Sequence, residues 1–328
     1  MSVTKVKAIR MSQNGGPEVM QLVDVELGEP GPGEALVRHH AIGVNYIDVY
    51  FRTGLYPQPL PAGVGMEGAG IVEKVGPGVT HVKPGDRVAY SGRPPGAYSQ
   101  DRIMPAEILV VLPDELSFAQ GAAMLLQGLT VQYLLNDTYK VKKGDTVLFH
   151  AAAGGVGLFA CQWLKAIGAT MIGTVGSPEK AALAKAHGCD HTILYRDEDF
   201  VEKVKEITGG KGVPVVYDSI GKDTFMKSLD CLSPRGMMVT FGYASGPVPP
   251  LDLSILGGKG SLKVTRPTLM TYVHNRSLLE PMAADLFQMV ISGKIKIEIN
   301  QRYPLADAAQ AHRDLEGRNT TGSTILIP

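Results

Sequence analysis

The pattern of apolar and polar positions changes near residue 125. Before it, short segments alternate apolar and polar side chains, as strands with one buried face do, and glycine- and proline-rich turns separate them. These segments cover residues 5–10, 35–40, 69–75 and 86–90. Short strands joined by tight turns predict a compact, mostly antiparallel barrel or sandwich.

After residue 125, strand-like and helix-like segments alternate. Predicted strands cover residues 146–150, 171–175, 192–194, 213–218 and 237–241, with predicted helices at 156–167, 178–187, 197–207 and 222–231. This alternation predicts an α/β fold with a doubly wound parallel sheet and right-handed crossovers. The tail has predicted helices at 277–291 and 307–316 and strands at 296–302 and 324–327, and composition leaves open which domain it joins.

One turn in the second part has a nucleotide-binding pattern. The apolar run Val147-Leu148-Phe149 is followed by Ala152-x-Gly154-x-x-Gly157, which leads into a helix. Such small residues allow a tight turn, close approach of the backbone to a pyrophosphate, and packing of the helix on the strand. The first N–H groups of the helix, including those of Gly155 and Val156, would bind the phosphates. The turn therefore predicts a dinucleotide cofactor.

The end of the next predicted strand indicates which dinucleotide binds. In NAD-binding domains an acidic residue about 20 positions after the glycines holds the ribose 2′-hydroxyl. Here Gly176 stands at that place, followed by Ser177, Glu179 and Lys180. Without the acid, a 2′-phosphate meets no repulsion and Lys180 offers positive charge, so we expect NADPH. The alternative is that Glu179 turns inward and replaces the acid.

Composition narrows the functional classes. The 328 residues suffice for two domains, and the formal net charge of zero gives no general attraction to nucleic acid or acidic membranes. No apolar run approaches the roughly 20 residues of a membrane span, and the N-terminus lacks the layout of a signal peptide. Three widely spaced cysteines, Cys161, Cys189 and Cys231, favour a cytoplasmic protein without disulfides.

Metal ligands are also scarce. The sequence has no Cys-x-x-Cys, and the neighbouring His39 and His40 would point to opposite faces of a strand. We therefore expect no bound zinc. His150, next to the glycine turn, is more typical of a structural histidine than of a catalytic acid.

Longer motifs resemble a known family. Gly65-Met66-Glu67-Gly68-Ala69-Gly70 and Val82-Lys83-Pro84-Gly85-Asp86-Arg87-Val88 are similar to the N-terminal domain of medium-chain dehydrogenase/reductases. Together with the motif at residues 43–48, the glycine turn and Val264-Thr265-Arg266-Pro267, they resemble the NADPH:quinone oxidoreductases of the zeta-crystallin branch. The likeness runs from residue 5 to residue 328.

The resemblance implies a GroES-like barrel of residues 1–125 plus 295–328 around a Rossmann domain of residues 126–294. In zinc-dependent relatives a histidine stands where this chain has Met66, and a cysteine lies in the region of Asn45 and Asp48. Thioether and amide groups do not replace imidazole and thiolate on zinc. The resemblance thus agrees with the expected absence of a metal.

Site residues are also implied by the resemblance. Tyr50, Tyr56 and Arg52 are placed at the substrate pocket, where a phenol could orient a quinone oxygen or deliver a proton, although a packing role is as common for such tyrosines. Thr130 is expected to open the helix that enters the nucleotide domain. Cofactor contacts are expected from Asn45, Thr130, Gly154, Gly155, Val156, Gly176, Ser177, Lys180, Tyr195, Ser219, Phe241, Gly242, Arg266, Arg318 and Asn319.

These observations predict an NADPH-dependent reductase of quinones. The same hydride chemistry would serve reduction of the alkene in α,β-unsaturated carbonyls, which is the alternative within the same class of enzyme. Two functions of a different class also stay open: RNA binding, with which some relatives are associated, and a structural, crystallin-like role with NADPH as stabiliser. The resemblance favours a homodimer, in which strands at residues 261–265 pair across a two-fold axis.

Overall fold

The computed structural model describes residues 4–328. Its contacts divide the chain into two compact units: a first unit that runs to Leu129 and resumes at Val273, and a second unit, Thr130–Tyr272. The strands of the described chain are β1 (Thr4–Met11), β2 (Gln21–Leu27), β3 (Glu34–Val44), β4 (Ala62–Gly63), β5 (Glu67–Val75), β6 (Arg87–Ser91), β7 (Asp101–Pro105), β8 (Val110–Val111), β9 (Thr146–Phe149), β10 (Thr170–Val175), β11 (His191–Leu194), β12 (Val213–Asp218), β13 (Leu232–Thr240), β14 (Lys263–Thr265), β15 (Ile299–Pro304) and β16 (Ser323–Ile327).

The α-helices are α1 (Tyr46–Thr53), α2 (Phe118–Gly121), α3 (Leu125–Tyr133), α4 (Gly155–Ile167), α5 (Pro178–Ala186), α6 (Phe200–Thr208), α7 (Phe225–Leu229), α8 (Ser254–Gly258), α9 (Leu269–Tyr272), α10 (Arg276–Ile291) and α11 (Ala308–Glu316). Short 3₁₀ helices cover Pro17–Val19, Ala106–Ile108 and Leu305–Asp307, and a π-helical turn covers Leu134–Thr138. No helix in residues 4–328 has both the length and the apolar character needed to cross a membrane.

The first unit is built on antiparallel sheets. Strands pair in the order β15-β16-β3-β5-β6-β8, with β7 beside β3, and a smaller sheet has the order β2-β1-β4. All of these pairs are antiparallel except β15 with β16. Alternate residues of the strands, such as Val37, Val72 and Val88, form a common core with Leu326 from the C-terminal tail.

The second unit is built on one parallel sheet. Within the described residues its strand order is β11-β10-β9-β12-β13-β14, which is the order of the dinucleotide-binding fold. Leu148, Ile172, Val216 and Met238 on four neighbouring strands are fully buried, as expected for strands covered on both faces. This confirms the predicted doubly wound sheet.

Several predicted segments differ from the observed ones. The sequence pattern does not predict strand β2, because one of its faces is only half-buried and the other is exposed, which weakens the alternation of apolar and polar residues. The helix predicted at 197–207 begins only at Phe200, because Asp199 caps it by accepting bonds from the N–H groups of Val201 and Glu202. The pattern also does not predict helix α3. Thr130, which was expected to open a helix, lies inside α3 instead.

Contacts place α10 with the first unit, whereas the sequence-based boundary at residue 294 placed it in the second. The guanidinium of Arg276 donates hydrogen bonds to the backbone carbonyls of Glu107 and Leu109. Leu286 lies so close to Gly128 that a Cβ atom on that glycine would be 2.5 Å from it. An amphipathic pattern predicts a helix but does not show which unit its apolar side contacts.

Candidate functional site

Most of the predicted cofactor residues of the second unit lie at one edge of its sheet. Because the six strands are parallel, their carboxyl ends meet there, and ligands of doubly wound sheets bind outside this edge. The residues that directly follow a strand or open the next helix are Gly154, Gly155, Val156, Gly176, Ser177, Lys180, Tyr195, Ser219, Phe241, Gly242 and Arg266.

The start of α4 has the form of a phosphate-binding turn. The N-cap residue of α4 is Gly154, which has no side chain to accept hydrogen bonds from the first N–H groups. The side chains of Ser177 and Asp199 do so for the neighbouring helices α5 and α6. A Cβ atom on Gly157 would lie 2.3 Å from the carbonyl oxygen of Ala151, so that only glycine permits this packing. Ala151 itself has a positive φ of 58°, which is rare for a side-chain-bearing residue. The uncapped amides fit the phosphates of a dinucleotide.

The loop that follows β10 lies beside Tyr195, the residue that follows β11. The hydroxyl of Ser177 accepts a hydrogen bond from the Lys180 N–H over 3.3 Å. A Cβ atom on Gly176 would lie 3.1 Å from the phenol oxygen of Tyr195. Glu179 is exposed rather than turned inward, and a hydrogen bond with Ser177 lowers the pKa of its carboxyl. Ser177 is thus adjacent to a carboxylate that would repel a 2′-phosphate.

The loop after β12 is held by a buried carboxyl that the sequence did not single out. Asp218 accepts hydrogen bonds from the N–H groups of Ile220 (2.7 Å) and Gly221 (3.1 Å), and its other oxygen accepts one from the Thr224 hydroxyl (2.7 Å). These bonds fix the loop between β12 and α7. They also hold Ser219 beside Gly242, where a Cβ atom would lie 2.6 Å from the carbonyl oxygen of Ser219.

Arg266 lies beside an aromatic residue that the sequence did not single out. Its guanidinium stacks on the ring of Tyr243, 4.1 Å from the centroid, and donates to the carbonyl of Thr240 over 3.2 Å. An aromatic residue soon after a strand end was the available signal for Tyr243. Together they form a flat cationic and aromatic surface at the β13–β14 end of the edge.

His150 has the structural role expected for it. The imidazole is 1% exposed, and its two nitrogens lie 2.9 Å from the hydroxyls of Thr174 and Ser228. Burial lowers the pKa of His150, which keeps the ring neutral. Its contacts join β9, β10 and α7 behind the glycine turn.

In the first unit, the predicted residue Asn45 is already hydrogen-bonded at both ends of its amide. Its Nδ2 donates to Oε2 of Glu67 over 2.7 Å, and its Oδ1 accepts from Nε2 of Gln127 over 3.2 Å. One N–H of the amide remains for a ligand. Glu67 also accepts from the N–H of Leu126, and burial raises the pKa of Glu67 to about 8.

The three predicted catalytic residues have different surroundings. Tyr50 packs between Tyr46 and Tyr56 in tilted and edge-to-face contacts, with ring centroids 5.5 and 5.2 Å away, and is 7% exposed. Arg52 is 1% exposed and donates to the carbonyl of Gly15 and, through both terminal nitrogens, to Glu316 over 2.8 Å. The bonds of Arg52 favour a structural role instead of the predicted catalytic one.

Arg52 belongs to a buried polar network that the sequence did not indicate. The hydroxyl of Tyr98 lies 2.9 Å from a carboxyl oxygen of Asp48 and 3.0 Å from Nε2 of His312, whose Nδ1 lies 3.2 Å from Arg52. Burial raises the pKa of Asp48 to about 7 and lowers that of His312 to about 3. The network fixes α1, which carries Tyr46 and Tyr50, against α11.

Arg318 and Asn319 form the turn after α11. Arg318 has a positive φ of 61°, and the N–H of Asn319 donates to the carbonyl of Asp314 over 2.9 Å. Burial raises the pKa of Tyr46, and the charge of Arg318 opposes that increase, so this guanidinium lies near the start of α1. The first unit therefore brings Arg318 into the neighbourhood of Asn45.

The surroundings of Met66 and Glu67 do not fit a zinc site. Both oxygens of Glu67 accept hydrogen bonds, and Met66 is fully buried. His39 is buried against Tyr90 and Ser99, whereas His40 is exposed. Within residues 4–328 no three His, Cys, Asp or Glu side chains are grouped as metal ligands.

Comparisons with known proteins cover both units. Family models described as "Alcohol dehydrogenase GroES-like domain" and "Zinc-binding dehydrogenase" match residues 31–114 and 155–280. A quinone oxidoreductase of Pseudomonas aeruginosa is 57% identical over 98% of this chain and 99% of its own length. A 2-haloacrylate reductase of a Burkholderia species is 49% identical over 98% of this chain and 99% of its own. The solved structure of the Escherichia coli quinone oxidoreductase complexed with NADPH has a TM-score of 0.97 at 53% identity, covering 98% of this chain and 100% of that one.

Proposed function

This chain belongs to the quinone oxidoreductases of the medium-chain dehydrogenase/reductase superfamily, and we propose that it reduces quinones with NADPH. The observation that carries the proposal is the uncapped, glycine-packed start of α4 at the carboxyl edge of the parallel sheet. A dinucleotide phosphate satisfies those amides, which no described side chain does. The structure of the Escherichia coli relative was solved as a complex with NADPH, and it matches 98% of this chain.

NADPH supplies the hydride when it is bound. The protein binds and orients the cofactor and the substrate and holds the groups that could donate a proton. Gly154, Gly155 and Val156 would hold the pyrophosphate, while Ser177, Lys180 and Tyr195 would hold the 2′-phosphate. A quinone that accepts one hydride also takes up one proton to become a hydroquinone. We propose that Tyr50 or Tyr56 orients the quinone oxygen, because their rings meet edge to face at the end of α1 and each carries a phenol hydroxyl.

Fluorescence titration tests the cofactor. We expect NADPH to bind at least about tenfold more tightly than NADH, since a charged hydrogen bond to the 2′-phosphate contributes roughly 1.5–3 kcal/mol. Lys180→Ala should remove most of this preference. Lys185→Ala, an exposed lysine in the last turn of the same helix, is the matched control and should keep it. Equal affinity for NADH in the unmodified protein would refute the assignment.

Acceptor assays test the substrate. Purified protein should oxidise NADPH faster with a simple benzoquinone than with an unactivated ketone, because a quinone needs little polarisation to accept a hydride. Tyr50→Phe and Tyr56→Phe keep the aromatic packing and remove the hydroxyl. If one phenol orients the quinone, its variant should lose turnover while NADPH affinity is retained. Unchanged turnover in both variants would remove the tyrosines from the proposal.

A second candidate function is reduction of an activated alkene. It is favoured by the 2-haloacrylate reductase, which is nearly as similar to this chain as the quinone oxidoreductases are. Parallel assays with 2-chloroacrylate, an alkenal and a quinone at equal NADPH would rank the two activities. Faster NADPH oxidation with an alkene than with any quinone would make this the main function.

Assembly and location are further proposals. Strand β14 ends the described parallel sheet, and Val264 on it is 37% exposed, which supports pairing of two β14 strands in a homodimer. Sedimentation with Val264→Lys would test it, since a monomer is then expected.

The three cysteines are free and buried, which agrees with a reducing cytoplasm. No observation favours an RNA-binding or crystallin-like role.

A further inference from the structure

A groove in the first unit brings two arginine side chains together, and neither forms an ion pair within residues 4–328. Arg10 on β1 and Arg102 on β7 both line it, and Arg102 is only 6% exposed. A Cβ atom on Gly63 would lie 2.4 Å from Nη1 of Arg10, and one on Gly96 would lie 3.6 Å from Nε of Arg102. A Cβ atom on Gly63 would also lie 2.8 Å from the Cα of Gly96, so both guanidinium groups flank the same glycine backbone.

The positive charge of this pair is not balanced locally. Burial lowers the pKa of Arg10, and the charge of Arg102 lowers it further. Arg102 donates to the carbonyl of Pro94 and to the Tyr90 hydroxyl, and no carboxylate in residues 4–328 forms an ion pair with either arginine. Asp101 also lines the groove, but burial raises the pKa of its carboxyl, and the opposing charge is that of Arg38. Two adjacent, partly buried cations favour an anion between them.

One wall of the groove is apolar. Val6 and Ala8 on β1 line it together with Val25 and Leu27 on β2. Its volume of about 160 Å³ is of the size that accommodates one aromatic ring. An anion that fits both features has a charged oxyanion at one end and a small apolar body at the other.

We propose that this groove is a binding site for a small organic carboxylate, whose charged end lies between Arg10 and Arg102 and whose apolar body packs on β1 and β2. The site lies outside the residues proposed to hold NADPH. Two guanidinium forks match a carboxylate better than two ammonium groups would, because each can donate two parallel hydrogen bonds.

Calorimetric titration with benzoate tests the proposal, with saturating NADPH present so that the amides of the second unit are occupied. Benzoate should bind the unmodified protein, and Arg10→Ala should weaken binding about tenfold or more. Arg313→Ala removes an exposed arginine from α11 and should leave benzoate affinity unchanged. Neutral benzamide should not bind measurably.

A second variant keeps the test independent of arginine removal. Val25→Glu places a tethered carboxylate in the groove wall, so it should abolish benzoate binding and raise the melting temperature by neutralising the arginine pair. The proposal is overturned if benzamide or sulfate binds as tightly as benzoate, or if Arg10→Ala retains full affinity. It is also overturned if benzoate binds only when NADPH is omitted, because the anion then occupies the cofactor site.

Discussion

The two units present their candidate groups in opposite ways. In the second unit, the candidate groups are backbone amides at strand ends, and glycine positions close in sequence set their geometry. In the first unit, they are side chains in and just before α1. Their positions depend on Glu67, Gln127, His312 and Glu316. The first kind of site is local and tolerates few residue types at a few positions. The second is assembled from distant segments and depends on buried charge.

This difference predicts different responses to mutation. Changes at the glycine turn should affect cofactor binding and stability together, because the same backbone does both. Changes in the buried network should reduce stability while leaving NADPH affinity unchanged.

Gly157→Ala should have the largest effect. Its Cβ would lie 2.3 Å from the Ala151 oxygen and 2.6 Å from Ala152 backbone atoms, which cannot move independently. We expect a loss of roughly 3 kcal/mol of stability, the upper part of the overpacking range, and a more than tenfold weaker NADPH affinity. Urea unfolding and fluorescence titration measure the two. Gly257→Ala, where a Cβ meets open space, is the control and should change neither by much.

Glu316→Ala should come next. It leaves the guanidinium of Arg52, only 1% exposed, without a carboxylate. We expect about 2 kcal/mol of destabilisation, below the full value for a buried pair because Glu316 is 31% exposed. Glu202→Ala breaks an exposed pair with Lys205 and should cost under about 1 kcal/mol. A tenfold loss of NADPH affinity in Glu316→Ala would contradict the prediction that the buried network affects stability alone.

Stability should depend on pH through the same network. The pKa of Asp48 rises from 3.8 to about 7 and that of Glu67 from 4.5 to about 8, so the folded protein holds protons that the unfolded chain releases. Stability from these two groups therefore falls as pH increases from about 4 toward 8, by up to about 1.4 kcal/mol per unit for each group.

The buried histidines act in the opposite direction. Burial lowers the pKa of His39 to about 4 and that of His312 to about 3, from 6.5, so the unfolded chain takes up protons that the folded protein does not. Their contribution to stability is lost as pH falls below 6.5, where it offsets the opposite trend of the two carboxyls. We therefore expect little change in stability between about pH 5 and 6.5 and a decline above 6.5. Melting temperatures from pH 5 to 9 test this. Glu67→Gln should flatten the decline between pH 6.5 and 8, and an unchanged slope would contradict the assigned proton.

Glu179→Gln should have the smallest effect. Glu179 is exposed and hydrogen-bonds to Ser177, beside the proposed 2′-phosphate position. Removing its charge should tighten NADPH binding about threefold, the size expected for an exposed charge pair, with no change for NADH. Glu202→Gln on α6 is a matched exposed control. Weaker NADPH binding in Glu179→Gln would mean that this carboxylate helps to hold the cofactor.

Much of the second unit could be predicted from the sequence. Its strands are continuous apolar runs, and the spacing of Ala152, Gly154 and Gly157 predicts the turn, in which a Cβ atom at residue 157 has no room. Less of the first unit was predictable. Nothing in the local pattern around Arg52 or Asn45 indicates partners as distant as Glu316 or Gln127. The resemblance that implied a place for Arg52 at the substrate pocket therefore gave no sign of its ion pair.

The sequence alone determined the parallel sheet, the glycine turn and the absence of an acid at Gly176, because each depends on side-chain size and spacing within a few residues. Tertiary structure decided the hydrogen-bond partners of Asn45 and Arg52, the surroundings of Asp218 and the meeting of Arg10 with Arg102. The physical reason is range: backbone sterics act between neighbours in the chain, whereas the free energy of a buried charge depends on whichever distant groups the fold brings to it.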